Sequence, residues 1–282
     1  RELGGEIISA DSRLFYRGMD IGTAKPTSSE QSAIPHHLLD ICEPSQTITL
    51  SHYQRLAYRT IAEFSGRGQL PFLVGGTGQY IMAVIEGWGI PRVAPQLRLR
   101  QQLELLGQEE LDRWLRALDP VAAEKIDSRN IRRVIRALEV TLVTGVPITD
   151  LQRKSPPPFD IFIIGLHRNR ESLYSRIDQR VEKMIADGLV DEVVALRETG
   201  YDRSLSSMSG LGYRQIIAYL DDECSLNDAI ERIKFDTHRF ARQQNTWFRQ
   251  DDPRINWFDL DKAGAEEAAL YSSKKWLADA GV

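Results

Sequence analysis

Residues 71–78 read Pro-Phe-Leu-Val-Gly-Gly-Thr-Gly, a compact apolar run that breaks at a glycine-rich turn. A helix-like stretch follows to about Ile85. Upstream, short apolar runs at 7–10 and 37–41 predict two more strands, and helical spacing over 52–65 separates them from the quoted run. Strands that alternate with helices imply right-handed crossovers, so the sequence predicts an α/β fold built on a parallel sheet.

Beyond residue 90 the sequence becomes rich in charged residues and shows helical spacing. Helical patterns cover 96–118 and 130–143, and no strand candidate lies between them. Strand patterns occur again at 160–166 and at 255–258, and most of the sequence between them has helical spacing. The predicted domains are 1–90 (core α/β, first part), 91–155 (helical insertion) and 156–282 (core α/β, second part).

The composition is that of an ordinary globular protein. Hydrophobic residues make up 42% and charged residues 27% of the 282 positions, and the net charge is −4, so RNA binding would need local basic patches. Two widely separated cysteines, Cys42 and Cys224, argue against a disulfide scaffold and a cysteine zinc site, and they suit the cytosol. The sequence has no apolar run of about 18 residues, so we expect no transmembrane helix.

Three predicted strand ends carry groups that suit a ligand site. They are Asp11, the turn at 75–78, and the pair at 167–168, His-Arg. Ligands of open parallel sheets bind at the carboxyl ends of the strands. The convergence of three such ends on one edge indicates a site there.

Each of these features also has a simpler interpretation. The backbone N–H groups of the glycine turn, with the Thr77 hydroxyl, could bind an anion; alternatively, the glycines only allow a turn with positive φ. Asp11 could be a general base, a metal ligand or the N-cap of the next turn. The irregular stretch 11–26 is dense in cations, hydroxyls and glycines, which favours a site.

Arginines form three further groups. Arg176 and Arg180 are i,i+4 neighbours on a predicted helix, either as a diphosphate-binding pair or as a solvated basic face. Arginines interleaved with amides and aromatics suit single-stranded RNA, although charge runs more often mark exposed faces. The two candidate RNA-binding groups are Arg129, Arg132, Arg133 and Arg136, and, late in the chain, Arg232, Lys234, Arg239, Arg242 and Arg249.

Taken together, the motifs resemble those of the tRNA dimethylallyltransferase family. The match begins with Ser-Ala-Asp-Ser at 9–12, Gly-Met-Asp-Ile-Gly-Thr-Ala-Lys-Pro at 18–26 and Val-Gly-Gly-Thr-Gly at 74–78. Later matches are Arg-Ala-Leu-Glu-Val at 136–140, Arg-Ile-Asp-Gln-Arg-Val at 176–181, Gly-Leu-Gly-Tyr-Arg at 210–214 and Gln-Asn-Thr-Trp-Phe-Arg at 244–249.

The resemblance implies a P-loop-type core and a helical insertion that closes over the anticodon stem-loop of tRNA. It implies transfer of a dimethylallyl group from dimethylallyl diphosphate to N6 of the adenosine just after the anticodon (adenosine 37), with Mg²⁺ as cofactor. By position, Asp11 is the expected general base, and Thr77 and Arg180 the other catalytic residues. The predicted donor-binding residues are Gly75, Gly76, Thr77, Arg176 and Arg180. The predicted tRNA-contacting residues are Asp11, Ser12, Arg13, Leu14, Arg132, Arg133, Arg136, Gly210, Gly212, Tyr213, Arg214, Arg242, Gln244, Asn245, Thr246, Trp247 and Arg249.

The sequence departs from the family pattern in two places. The family's first strand and its loop ending in Gly-Lys-Ser/Thr do not occur in the 282 residues, so we expect them to precede Arg1, together with the Mg²⁺ ligand. Gln243 stands where a basic residue is usual. Two other functions stay open: prenylation of free adenylate, and RNA binding without catalysis. We expect a cytosolic monomer.

Overall fold

The computed structural model describes residues 2–281 and divides into two compact units. The first unit runs up to Ile81 and resumes at Phe159; the second is Met82–Pro158. Helix α3 runs from the first unit into the second.

All the strands belong to the first unit and pair in parallel. They are β1 (Gly5–Ser9), β2 (His36–His37), β3 (Leu70–Val74), β4 (Ile163–His167) and β5 (Ile255–Asp259). Parallel pairing confirms the predicted α/β class. In the described part of the chain the strands form two sheets, ordered β2-β1-β3 and β4-β5, whereas the sequence led us to expect one. Apolar patterning locates strands but does not specify their partners, which explains the difference.

The strand predicted at 37–41 is wrong beyond its first residue. Leu38 and Asp40 have φ of 61° and 52°, in the left-handed region, and β2 ends at His37. An ion pair explains how Asp40 holds this conformation: its carboxylate contacts the Lys25 ammonium over 2.5 Å, and the Lys25 side chain is only 4% exposed. A contact across 15 residues outweighs the local strand preference of this run.

The first unit covers its sheets with helices. Helix α2 begins at the Thr49 cap and buries Tyr53, Ala57, Ile61 and Phe64, as its spacing predicts. The rings of Tyr53, Phe15 and Tyr80 stack on one another at 4.5–5.7 Å between centroids. The helices of this unit are α1 (Ser28–Ala33), α2 (Leu50–Gly66), the first half of α3 (Gly78–Ile85), α9 (Arg170–Ala186), α10 (Leu189–Glu198), α11 (Tyr213–Leu220), α12 (Leu226–Gln244) and α13 (Ala265–Ala280).

The second unit is helical, and it spans Met82–Pro158, whereas the predicted insertion is 91–155. Its helices are α4 (Leu97–Glu104), α5 (Gln108–Leu118), α6 (Pro120–Lys125), α7 (Ile131–Thr144) and α8 (Ile148–Leu151). The single helix predicted over 96–118 is two helices, because Gly107 caps a new helix whose first turn carries Glu109 and Glu110. The core of the unit packs α5 on α7 and includes Leu111, Leu115 and Leu138.

The centre of this unit holds a buried charge. The Glu139 side chain is fully buried and accepts hydrogen bonds from the Gln96 backbone N–H, from Arg100 and from Arg136, at 2.5–2.8 Å. Burial raises the pKa of Glu139, but these donors outweigh burial and lower that pKa to about 2. Among residues 2–281, none of the helices combines the length and the apolar content that crossing a bilayer requires.

Candidate functional site

The carboxyl ends of β1 and β3 lie side by side. Ser9 is in register with Val74, and the Ala10 N–H donates to the Val74 carbonyl over 2.7 Å. One step further on, the Ser12 N–H donates to the Thr77 hydroxyl over 3.2 Å. The predicted meeting of these two strand ends therefore occurs, and it brings Asp11 and Thr77 to one edge of the sheet.

Asp11 follows β1 and is half-buried. Its Oδ1 accepts the Arg13 N–H over 2.9 Å, which closes a tight turn, so the capping interpretation describes part of what this side chain does. Burial raises the pKa of Asp11 above its ordinary value, while the Arg13 N–H and the charges of Arg13 and Arg180 act in the opposite direction. A carboxylate with a raised pKa is a stronger base than an exposed one.

The positive charge of Arg180 lowers the pKa of Asp11, against the larger effect of burial. Arg176 and Arg180 are both exposed on α9, one helical turn apart, and of these two only Arg180 contributes to the shift at Asp11. The structure thus joins the Asp11 loop to Thr77 through Ser12, and Arg180 acts on Asp11 through its charge.

The glycine turn is shaped by close packing. Gly75, Gly76 and Gly78 have φ outside the left-handed region, so the interpretation that they allow positive φ is wrong. A Cβ on Gly75 would lie 2.5 Å from the Ala10 carbonyl, and Cβ atoms on the other two would overlap Gln244 and Trp247. The end of α12 thus presses directly on the turn, and the Gln244 amide donates to the Gly76 carbonyl over 3.2 Å.

The third predicted strand end is engaged elsewhere. After β4, the Arg168 guanidinium donates to the Leu260 carbonyl and to Asp261, both over 2.9 Å. Asp261 also accepts the Asn169 N–H and the Ser172 hydroxyl. Arg168 therefore stabilises the loop after β5 in this structure.

Two predicted tRNA-contacting segments touch each other. The Arg13 guanidinium donates to the carbonyls of Ser206 and Ser207 over 2.9 and 3.2 Å, and the Arg13 side chain lies beside Gly210. Ser12 and Leu14 are half-buried beside Arg13. The 11–14 segment and the segment before α11 thus form one continuous surface.

Within 210–214 the residues differ in accessibility. Arg214 is half exposed and pairs with Asp236 over 2.7 Å. Gly210, Gly212 and Tyr213 are buried, the last only 1% exposed, so the Tyr213 ring packs inside the protein. A direct contact of that ring with tRNA stays a prediction.

At the end of α12 the predicted residues spread over an exposed face. Arg242 donates to the Tyr174 hydroxyl over 2.5 Å, and Arg249 pairs with Asp251 over 2.7 Å. Asn245 and Thr246 are exposed, and Trp247 is 39% exposed.

The other predicted arginines belong to the second unit. Arg132 and Arg133 are exposed on α7. Arg136, one-third exposed, is held by Glu139 and by the Val93 carbonyl. Its role in tRNA binding stays a prediction, and its described contacts are structural.

Sequence reasoning missed Glu192. It lies in the first turn of α10, where a glutamate is ordinarily explained by the helix dipole, so its pattern carried no signal. Its carboxylate in fact accepts three backbone N–H groups from residues 20–22 and the Tyr213 hydroxyl.

The described residues contain no cluster of the usual metal-ligating side chains. Within 2–281, histidines, cysteines and carboxylates form no group of three that could hold an ion. Where β1 and β3 end, Asp11 supplies a carboxylate, and one of its oxygens already accepts the Arg13 N–H.

Comparison with known proteins gives a consistent result. The model of the family described as IPP transferase matches residues 14–251. The tRNA dimethylallyltransferase of Chloroflexus aggregans is 54% identical over 254 residues, which cover 89% of this chain and 86% of that protein.

Two solved structures resemble this one. The tRNA isopentenylpyrophosphate transferase of Bacillus halodurans has a TM-score of 0.70 and 40% identity, with 97% of this chain and 88% of that chain covered. A eukaryotic dimethylallyltransferase acting on tRNA has a TM-score of 0.84 over 98% of this chain and 73% of that chain, and at 24% identity it supports the fold alone. The family model and the curated relative both span most of the sequence, and the chain therefore belongs to the tRNA dimethylallyltransferase family.

Proposed function

We propose that this protein transfers a dimethylallyl group from dimethylallyl diphosphate to N6 of adenosine 37 in tRNA. The observation that carries the proposal is that the ends of β1 and β3 bring Asp11 beside the Thr77 turn, with the Ser12 N–H donating to the Thr77 hydroxyl. The charge of Arg180 acts on the same carboxylate. Such a set supplies a proton acceptor and anion-stabilising donors, the two kinds of group that this transfer requires.

Asp11 is the proposed general base. The N6 amine is a poor nucleophile because its lone pair is delocalised into the adenine ring. As N6 bonds to C1 of the dimethylallyl group, an N6 proton passes to Asp11, a step that typically contributes about 10²–10⁴-fold. The extruded adenosine would present its amine to the carboxylate oxygen that does not serve Arg13.

Arg180 and Thr77 are the proposed partners of the leaving diphosphate. As the C1–O bond breaks, negative charge builds on the diphosphate oxygens. The Thr77 oxygen accepts the Ser12 N–H, which leaves its own hydrogen to donate. Arg180 supplies a permanent, planar cation, and Arg176 on the same face of α9 is a second candidate.

Mg²⁺ stays a prediction. Within residues 2–281, histidines, cysteines and carboxylates form no group of three that could hold it. The cytosolic location, the monomeric state and the identity of the tRNA-contacting residues also stay predictions.

Prenyl transfer to paired acceptors tests the proposal. Purified protein receives radiolabelled dimethylallyl diphosphate with unmodified tRNA or with free AMP, and digestion of the tRNA maps the label. We expect label on adenosine 37 and none on AMP. Label on AMP alone would instead support an adenylate prenyltransferase, and tRNA binding without transfer to either acceptor would support an RNA-binding protein.

A further inference from the structure

The Glu192 carboxylate on α10 makes four hydrogen bonds. Its Oε2 accepts the N–H groups of Asp20 and Ile21 over 2.9 and 2.7 Å. Its Oε1 accepts the Gly22 N–H over 3.1 Å and the Tyr213 hydroxyl over 2.6 Å. Consecutive backbone N–H groups form a concave anion site, and here a side chain of the protein fills it.

Packing around this carboxylate is equally close. A Cβ on Gly22 would lie 2.6 Å from the Tyr213 ring and 2.9 Å from Leu189. Gly22 has no positive φ, so it is required here by space. The loop 20–22 is therefore seated directly on α10 and on the start of α11.

The same two chain segments meet at a second point. Arg13 lies in the stretch 11–22 that leads into this loop. Its guanidinium donates to the carbonyls of Ser206 and Ser207, which lie shortly before α11. Residues 11–22 are thus attached to residues 206–213 at both ends, by Arg13 and by Glu192.

The far side of the loop is fixed as well. The Lys25 ammonium contacts Asp20, Asp40 and the Tyr16 carbonyl, at 2.5–2.8 Å. Lys25 therefore fixes one side of the loop and Glu192 the other. Loss of the Glu192 carboxylate would leave the side that meets α11 without its hydrogen bonds.

We propose that Glu192 is a positioning residue for tRNA: it holds the 11–22 and 206–214 segments as one preformed RNA-binding surface. The inference rests on the proposed function and on the predicted contacts of residues 11–14 and 210–214 with tRNA. Preforming a surface lowers the entropy that binding must overcome, so its loss weakens affinity for tRNA specifically. Glu192 holds residues 20–22 of the first segment, whereas Asp11 and Thr77 are joined separately through the Ser12 N–H, so use of dimethylallyl diphosphate should change little.

Glu192→Gln is the main test. The glutamine amide keeps one acceptor oxygen, but its NH2 group replaces the other carboxylate oxygen. That NH2 group is a donor and faces backbone N–H groups that are also donors, so the hydrogen bonds of one oxygen are lost. We expect the tRNA KM and the Kd for an anticodon stem-loop to rise about tenfold, with kcat and the KM for dimethylallyl diphosphate within about twofold of wild type. Asp191→Asn is the matched control, since it removes the same charge from the same helical turn of α10, and it should leave all four values unchanged.

Two further variants keep the test independent of folding. Tyr213→Phe keeps the ring against Gly22 and removes only the 2.6 Å hydrogen bond, so we expect about a threefold rise in the tRNA KM. Gly22→Ala separates the same surfaces by steric overlap with no change in charge, and should reproduce the tRNA defect. All assays run below the melting temperature of every variant.

The wild-type control separates the two hypotheses. If wild type does not prenylate tRNA, the proposed function fails. If wild type is active, the positioning role is overturned by any of three results: an unchanged tRNA KM in Glu192→Gln, equal losses for both substrates, or the same loss in Asp191→Asn.

Discussion

The backbone N–H of Ser12 donates to the hydroxyl of Thr77 over 3.2 Å, across 65 residues of sequence. This bond joins the loop that carries Asp11 to the turn after β3. It also sets the direction of the Thr77 hydroxyl, because the oxygen that accepts from Ser12 must point its own hydrogen elsewhere.

Thr77→Val should therefore reduce transfer while leaving the fold intact. Valine keeps the branched shape but offers neither acceptor nor donor, and loss of one donor to a developing anion typically costs about 10²–10³ in rate. Single-turnover transfer measures the effect. Thr77→Ser, which keeps the hydroxyl, should retain most of the rate; an equally inactive serine variant would point to packing instead.

Asp11→Asn should abolish transfer without destabilising the protein. Because the pKa of Asp11 is raised in the folded state, stability is lost as pH rises through that pKa, and the ionised carboxylate opposes folding at pH 7. Asparagine removes that charge and keeps an oxygen for the Arg13 N–H. We expect a rate loss of about 10²–10⁴-fold, an unchanged or higher Tm and near-normal tRNA binding. A large binding loss with preserved turnover would contradict the assignment of the base.

Arg180→Ala should impair use of the donor more than affinity for tRNA. We expect kcat/KM for dimethylallyl diphosphate to fall about 10²-fold, with the tRNA Kd within about threefold of wild type. Lys183→Ala, which removes a 74% exposed cation from the same helix, is the control and should be nearly silent. Equal damage to both substrates would exclude a diphosphate role.

Glu139→Gln should destabilise the protein in a pH-dependent way. The variant leaves Arg100 and Arg136 without their buried partner, at a cost of about 3–5 kcal/mol at pH 7. Because the pKa of Glu139 falls from 4.5 to about 2 on folding, this contribution is present above pH 4.5 and is lost as pH falls toward 2.

Thermal unfolding of wild type and Glu139→Gln at several pH values checks this. The difference in Tm should be constant above pH 4.5 and shrink between pH 4.5 and 2. Glu110→Gln removes the same charge from a surface pair of the same unit and should cost under about 1 kcal/mol. A difference in Tm that does not change with pH would contradict the assignment.

The sequence predicted the parts of this molecule that depend on local patterns. The strands near Ile8 and Phe72 and the helix stripe from Tyr53 to Phe64 are confirmed, because burial on one face imposes a period that can be read directly. The family motifs led to Asp11, Thr77 and Arg180, and the meeting of the first two follows from the topology of parallel strands.

Long-range partners were not predictable in this way. Lys25 holds Asp40 in a left-handed conformation, and Glu192 holds a loop about 170 residues away, yet each has an ordinary local pattern. The same holds for Gly76 and Gly78, whose neighbours lie on the end of α12. A sequence window contains none of these contacts, so only the assembled fold reveals what the residues do.

The contact between α12 and the glycine turn constrains how this protein can change. Gln244 and Trp247 belong to a segment expected to read RNA, while Gly76 and Gly78 flank Thr77, which is expected to serve the donor. Enlarging a side chain on either side displaces the other, so selection for a new RNA acceptor would also act on recognition of the isoprenoid. Libraries that vary positions 244 and 247 should therefore vary 76 and 78 in the same molecules.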